Sequence, residues 1–374
     1  MRASFLLISF VFSLFHLSSQ NKSDSLYFKG DIGTWVHSNN NYPLSLGARI
    51  VPSLTYDYSS ENKHKFSVNA AAYAWGVINT NFDDYNSDGE ISLYRLAGSY
   101  LYENFSFSLG LQDISFGSAR MLRPLMWFDL LDPRDPMKIT DGVYSAYGTY
   151  TFSNSSKLSL WSLYGNDNLR GWDWSPSVPT IPEFGGRYKY PFERGHMAFS
   201  YHHRMINVEQ EFQSTVLGER KYGFDMRLNY TFGAWVEASW NNINNKGLYL
   251  FSNQSLLTIG IDREIEVGNG LYFAFEHMLV SYHQSAFSFD NSSNISALEV
   301  SYPISNRDKF KSIIFYDWDN KQGYTFVEWE RTFKRLSAHL MAYVNADDTR
   351  LPNLRNLKNM YQGPGIQLMF VYRF

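Results

Sequence analysis

The sequence predicts an all-β fold: a single closed antiparallel transmembrane β-barrel of about 18 strands, with 16 as the alternative count. Three observations carry this expectation. Apolar and polar residues alternate with period two from about residue 26 to the C-terminus. Aromatic residues make up 18% of the chain, yet mean hydropathy is −0.33, a pairing that arises when one face of each strand meets lipid and the other meets water. The connections are short and long in turn, as in barrels with tight turns on one side of a bilayer and longer loops on the other.

The chain opens with Met1-Arg2, an apolar run from Phe5 to Leu17, and Ser18-Ser19-Gln20-Asn21. This has the layout of a signal peptide over 1–20, which leaves 21–374 as one barrel domain. No later apolar run approaches the roughly 20 residues that a spanning helix needs. Alternation is sharpest from Tyr222 to Phe232, where even positions are apolar or aromatic and odd positions are small, polar or charged. It recurs from Phe105 to Gln112 and from Leu336 to Val344. Strands are expected to begin near residues 26, 44, 65, 90, 105, 143, 157, 184, 196, 221, 234, 256, 270, 295, 309, 323, 335 and 363. Tight connections fall at 59–64, 102–104, 153–156, 192–195, 233, 267–269, 305–308 and 331–334. Longer polar segments fall at 79–89, 117–142, 166–183, 207–219, 242–254 and 345–361. Closure follows because an unpaired strand edge in lipid leaves backbone groups unsatisfied. A soluble sandwich or propeller would need longer apolar runs and would not explain the alternation of loop lengths.

Composition removes several functions. A formal net charge of −3 gives no basic surface for nucleic acid, and the absence of cysteine removes disulfides and a lipid-modified N-terminal Cys. No zinc spacing or Gly-rich phosphate loop is present, so no cofactor is expected. The histidines sit in no nucleophile motif, and adjacent His202 and His203 must face opposite sides of a strand, so no enzyme is expected. Asp84, Asn86 and Asp88 before Gly89 match the first half of a calcium loop, but Arg95 stands where a bidentate glutamate is needed. A polar hairpin loop is the favoured reading, with calcium the weaker one.

Parity assigns the interior. Basic inward positions come first, at Arg49, Arg95, Arg187, Lys189, Arg204 and Arg227. Acidic ones follow, at Glu237, Asp262, Glu264, Glu276, Glu299 and Glu328. Strands laid around a circumference in chain order turn this into a basic arc facing an acidic arc. The expectation is a transverse field across a wet lumen; the alternative is that these charges pair with one another or with inserted loops. The segment 118–141 carries both signs of charge in Arg120, Arg123, Asp129, Asp132, Arg134 and Asp135, stiffened by three prolines. Its apolar Met121, Leu122, Leu125, Met126, Trp127 and Phe128 need a packing partner. Trp35, Trp75, Trp161, Trp235, Trp240 and Trp329 read as an interfacial girdle, and Trp127, Trp172 and Trp174 as candidates for stacking on sugar rings.

The last ten residues, from Gly365 to Phe374, place apolar side chains at 366, 368, 370, 372 and 374. A terminal phenylalanine after such a strand resembles the signature of bacterial outer-membrane porins. The segment 110–142, with Phe116-Gly117 and Asp132-Pro133, resembles the loop region of alginate-export-type barrels. The resemblance implies an outer-membrane location, contact with its lipid, reading of Phe374 by the barrel-assembly machinery, and passage of small hydrophilic solutes. It also implies that 118–141 folds into the lumen and narrows it, and it leaves monomer and trimer open. A non-conducting barrel acting as adhesin or assembly scaffold through its loops is the competing function.

Overall fold

A computed structural model describes residues 24–40, 42–81, 84–210, 213–244, 251–290, 292–345 and 363–374; the expected signal peptide and nearly all of 345–361 lie outside them. The strands in chain order are β1 (Asp24–Asn39), β2 (Leu44–Ser59), β3 (His64–Thr80), β4 (Tyr85–Tyr102), β5 (Phe105–Gln112) and β6 (Val143–Thr151). Next come β7 (Lys157–Leu163), β8 (Glu183–Phe192), β9 (Gly195–Gln210), β10 (Gln213–Asn229), β11 (Gly233–Ile243) and β12 (Asn253–Ile265). The circuit ends with β13 (Leu271–His283), β14 (Ser293–Pro303), β15 (Asp308–Asp317), β16 (Gln322–Thr332), β17 (Leu336–Asn345) and β18 (Gly363–Arg373). Each strand pairs antiparallel with its sequence neighbours, and β1 pairs with both β2 and β18, so the 18-stranded sheet is closed.

At the seam, Gly30 and Phe374 exchange both backbone hydrogen bonds, at 3.2 and 3.0 Å. The Phe374 ring packs 5.3 Å from that of Phe28, in the space that a side chain at position 30 would occupy. The two faces of β18 show why the chain closes this way round. Ile366, Leu368, Phe370 and Tyr372 lie exposed on the outer face, whereas Gln367, Met369 and Val371 are buried inside. Apolar surface on the outside of a closed barrel is the inverse of a soluble fold and matches insertion in lipid.

Two segments expected to be long loops are instead strand. The β3–β4 ladder continues to Thr80 opposite Tyr85, and β9–β10 continues to Gln210 opposite Gln213. Both hairpins project beyond the apolar band, where backbone pairing needs no greasy face and the sequence pattern lapses. In the hairpin that holds the calcium candidates, Asn86 and Asp88 pair with Asn79 and Val77 within the ladder, and Asp84 accepts from the Tyr85 N–H. Among the described residues no group of His, Asp and Glu is arranged to hold a metal.

The tryptophan girdle also needs correction. Trp35, Trp161 and Trp235 point inward and are buried, each lying over a glycine directly across the ladder: Gly47, Gly185 and Gly260. Trp75 shares the inward face of its partner Arg49. Only Trp240 and Trp329 of the six sit on the outer face.

Candidate functional site

All twelve charged strand positions assigned inward lie on the interior face, but they do not form two arcs across open water. Arg49 pairs with Asp135 of the β5–β6 loop, and Arg95 donates to the Thr140 carbonyl at 2.8 Å. Arg187 meets Asp225 at 2.5 Å, and Arg227 donates to both oxygens of Asp262 at 2.9 Å. Glu328 holds Lys311 at 2.7 Å and His339 at 2.8 Å. Charge is neutralised locally, because an ion pair in a confined, poorly hydrated space is far more stable than two separated charges. Lys189 faces Lys157 across β7–β8, and Glu264 and Glu299 keep accessible surface.

The β5–β6 loop, residues 113–142, packs inside the barrel, and two glutamates hold it there. Glu237 on β11 accepts from the backbone N–H groups of Ser118 (2.7 Å), Ala119 (2.8 Å) and Leu125 (2.8 Å). Glu276 on β13 accepts from those of Arg120 (2.6 Å), Met121 (2.9 Å) and Leu122 (2.6 Å), and from the Trp235 indole at 3.2 Å. Both carboxylates are fully buried. A loop without helix or sheet has backbone donors to satisfy, and a carboxylate that accepts several is a strong anchor for them. Gly117, at φ +106°, lets the chain pass directly against Glu237.

The apolar stretch of this loop finds its partner on the far wall. Met121, Leu122 and Met126 form one cluster with Leu256, Met278, Ile295, Ile313 and Phe315 of β12 to β15. Trp127 and Phe128 pack with Trp161 and Leu163 on the other side, and the Trp127 indole donates to Ser239 at 3.0 Å. The loop's own charges are largely internal. Arg123 pairs with Asp129 at 2.8 Å, and Arg134 with Asp132 at 2.7 Å; Arg120 is exposed, as are Asp113, Lys138 and Asp141, and donates to the Tyr272 hydroxyl at 2.5 Å.

A second loop, 164–182, also turns inward, which the sequence did not suggest. Asp173 receives Arg204 at 2.6 Å and Lys221, and Arg204 also pairs with Glu219. Arg170 reaches Glu183 at 2.8 Å, and Glu183 in turn meets His202 at 2.9 Å. Burial works against ionisation of Asp173, yet Arg204, Lys221 and Arg170 together hold its pKa below the ordinary carboxylate value. Trp172 is buried and donates to the Arg123 carbonyl at 2.9 Å, which ties the two loops together. Trp127 and Trp172 therefore present no free face for sugar stacking.

What the loops leave uncovered is the inner wall of β2 to β7 towards the tight turns. Inward positions there are Ser53, Thr55, Ser67, Asn69, Ala97, Ser99, Ser106, Ser108 and Thr149, all retaining accessible surface. Asn69 donates to Ser53 at 3.1 Å and Thr55 at 2.8 Å; many of the remaining hydroxyls face the cavity. Among the described residues Ser118 lies 3.4 Å from His196, itself 3.6 Å from Asp225, and a tighter triad-like arrangement has Ser337 2.7 Å from His339 and His339 2.8 Å from Glu328. The last three are 2%, 3% and 4% exposed, so no substrate reaches Ser337 as it stands.

No family model and no curated protein sequence matches the chain. Among solved structures, OccAB4 of Acinetobacter baumannii is similar with a TM-score of 0.56 and 9% identity, covering 95% of this chain and 99% of that one. OccD3 of Pseudomonas aeruginosa gives 0.54 at 9% identity over 96% and 92%. Wzi of Escherichia coli, a carbohydrate-binding barrel involved in group 1 capsule assembly, gives 0.53 at 11% identity over 93% and 84%. At such identities the likeness is one of architecture: this chain has the fold of the bacterial outer-membrane β-barrels of the porin type.

Proposed function

We propose that this protein is an outer-membrane channel through which small hydrophilic solutes diffuse along the uncovered wall of β2 to β7, past a lumen narrowed by segment 118–141. The observation that carries this reading is the contrast between the two halves of the interior. The wall of β11 to β18 is sealed by apolar packing against the inserted loop, whereas that of β2 to β7 presents hydroxyls and small side chains to open space. A wall of short hydroxyls can replace water around a polar solute without a deep binding well, which favours passage over retention. Arg120, Lys189 and Lys157 give the path its charged margin, and no chemical step is needed. The barrel-assembly machinery is the proposed reader of Phe374.

Swelling of proteoliposomes in neutral sugars of graded size tests this. Pentoses are expected to enter faster than disaccharides, and Ser99→Trp with Ser108→Trp, which face each other across β4–β5, should slow entry severalfold. Swelling no faster than in protein-free vesicles would overturn the reading.

A further inference from the structure

The outer surface of β9 to β13 carries a feature that conduction does not use. At one level of the ladder, His203, Arg220, Asn242, Asn253 and His283 stand in register on five neighbouring strands, all on the lipid side. Arg220 stands ten residues above Tyr230 at the foot of its hairpin. At 3.3 Å per residue and a tilt near 40°, that is about 25 Å along the membrane normal, the height of the apolar band. The row therefore meets the headgroups of the outer leaflet.

Its members differ in how they are satisfied. Asn253 accepts from Asn242 and from the Trp240 indole, both at 3.0 Å, and donates to the Gln284 carbonyl at 2.7 Å. These contacts pin the start of loop 284–290 to the outside of the barrel. Arg220 is exposed and has no carboxylate within ion-pair distance among the described residues, and the enclosed Nδ1 of His203 across the ladder has no partner. Immediately below, Tyr201, Tyr222 and Trp240 make an aromatic row with ring centres 5.4 and 5.0 Å apart.

The loop then does something unusual for a polar connection. Phe287 adopts φ +55°, a conformation that costs a bulky residue energy, and is 63% exposed while its ring sits 4.6 Å from Trp240. With Phe289 it roofs a cleft of about 250 Å³ whose floor is Phe199, Phe224 and Leu257. A cationic and imidazole ledge at headgroup level, directly above an apolar cleft opening into the bilayer, has the two-part chemistry of an acylated phosphate.

We propose that this face is a binding site for a phosphorylated, multiply acylated lipid of the outer leaflet, its phosphate held by Arg220 and His203 and one acyl chain lying under Phe287 and Phe289. Arg pairs with phosphate in a fork that lysine cannot reproduce, and the pairing is strong where water is scarce. The proposal rests on the outer-membrane placement and not on conduction.

The test uses the full chain in phosphatidylcholine nanodiscs doped with bis-phosphorylated, hexa-acylated lipid A, with retained lipid counted by native mass spectrometry after mild delipidation. The native protein is expected to keep lipid A in preference to phosphatidylcholine. Arg220→Ala and Phe287→Gly should each lower retention at least fivefold, Arg220→Lys should keep part of it, and Phe310→Ala, on the outer face of β15 outside the site, should change nothing. Lipid A lacking both phosphates should behave like the Arg220→Ala case. Equal retention by all variants overturns the site, as does loss of a dimer or trimer in Arg220→Ala with lipid counts unchanged, which would make the face a contact between copies. Conductance is expected to be the same in every arm, so failure of this site and failure of the channel reading are separable.

Discussion

Glu237 and Glu276 are the residues on which the interior is organised, and each satisfies three backbone donors of one loop. Replacing either by Gln puts an amide N–H₂ where acceptors are needed and leaves one or two buried donors unpaired, at about 1–3 kcal/mol each. Glu237→Gln and Glu276→Gln should therefore free 118–125 for proteolysis and raise open-channel noise without preventing barrel assembly. Gly117→Ala should act like Glu237→Gln, since a methyl group at φ +106° would press into the carboxylate. Asp173 makes a second, pH-dependent anchor. Because its pKa is depressed by the surrounding cations, its contribution is complete above the ordinary carboxylate value of about 3.9 and is lost as pH falls through its lower folded value. The 164–182 loop is thus expected to stay docked at pH 5 and to release only below pH about 4. Asp173→Asn should release it at neutral pH, at a cost of about 3–5 kcal/mol for a broken buried pair. Intrinsic fluorescence of the native and Trp172→Phe chains across pH would report both. The anchors at Glu237 and Glu276 were not legible in the sequence, because each of these carboxylates lies more than 100 residues from its donors. The inward parity of Glu237 and Glu276 was legible; their partners were not.

At the scale of the element, alternation fixed the strands wherever lipid imposes it and failed where strands leave lipid. The hairpin arms that end at Thr80 and Tyr85, and at Gln210 and Gln213, lack a clean alternation in the sequence, so they read as loops although the ladder reaches those residues. The tryptophans failed for a different reason. Trp35, Trp161 and Trp235 sit at inward parity, but residue type suggested a girdle and outweighed position. The signal that could have corrected this is the glycine facing each across the ladder, which makes room for an indole lying flat on the sheet. Gly260→Val is accordingly expected to displace Trp235, remove its bond to Glu276, and loosen the β5–β6 loop as Glu276→Gln does. Protease sensitivity of 118–125 checks this. The β1–β18 seam gives another test. Gly30→Val should collide with the Phe374 ring and lower the yield of heat-resistant barrel, as should deletion of Phe374.

The whole molecule is a lipid-facing cylinder whose interior is divided. One part is a packed core made by a loop and the walls of β11 to β18, and another is a hydroxyl-lined wall with space in front of it. The closed all-β architecture and the strand count could be read from period-two patterning because a bilayer permits no unpaired edge. The division of the interior could not, because it depends on which apolar loop residues meet which inward strand residues. Single-channel recording in planar bilayers tests the central claim most directly. The native chain is expected to give small discrete openings, and the chain lacking 118–141 clearly larger ones. A correctly folded native barrel that stays silent, together with a loop-deleted chain that is equally silent, would contradict a channel and leave a closed scaffold.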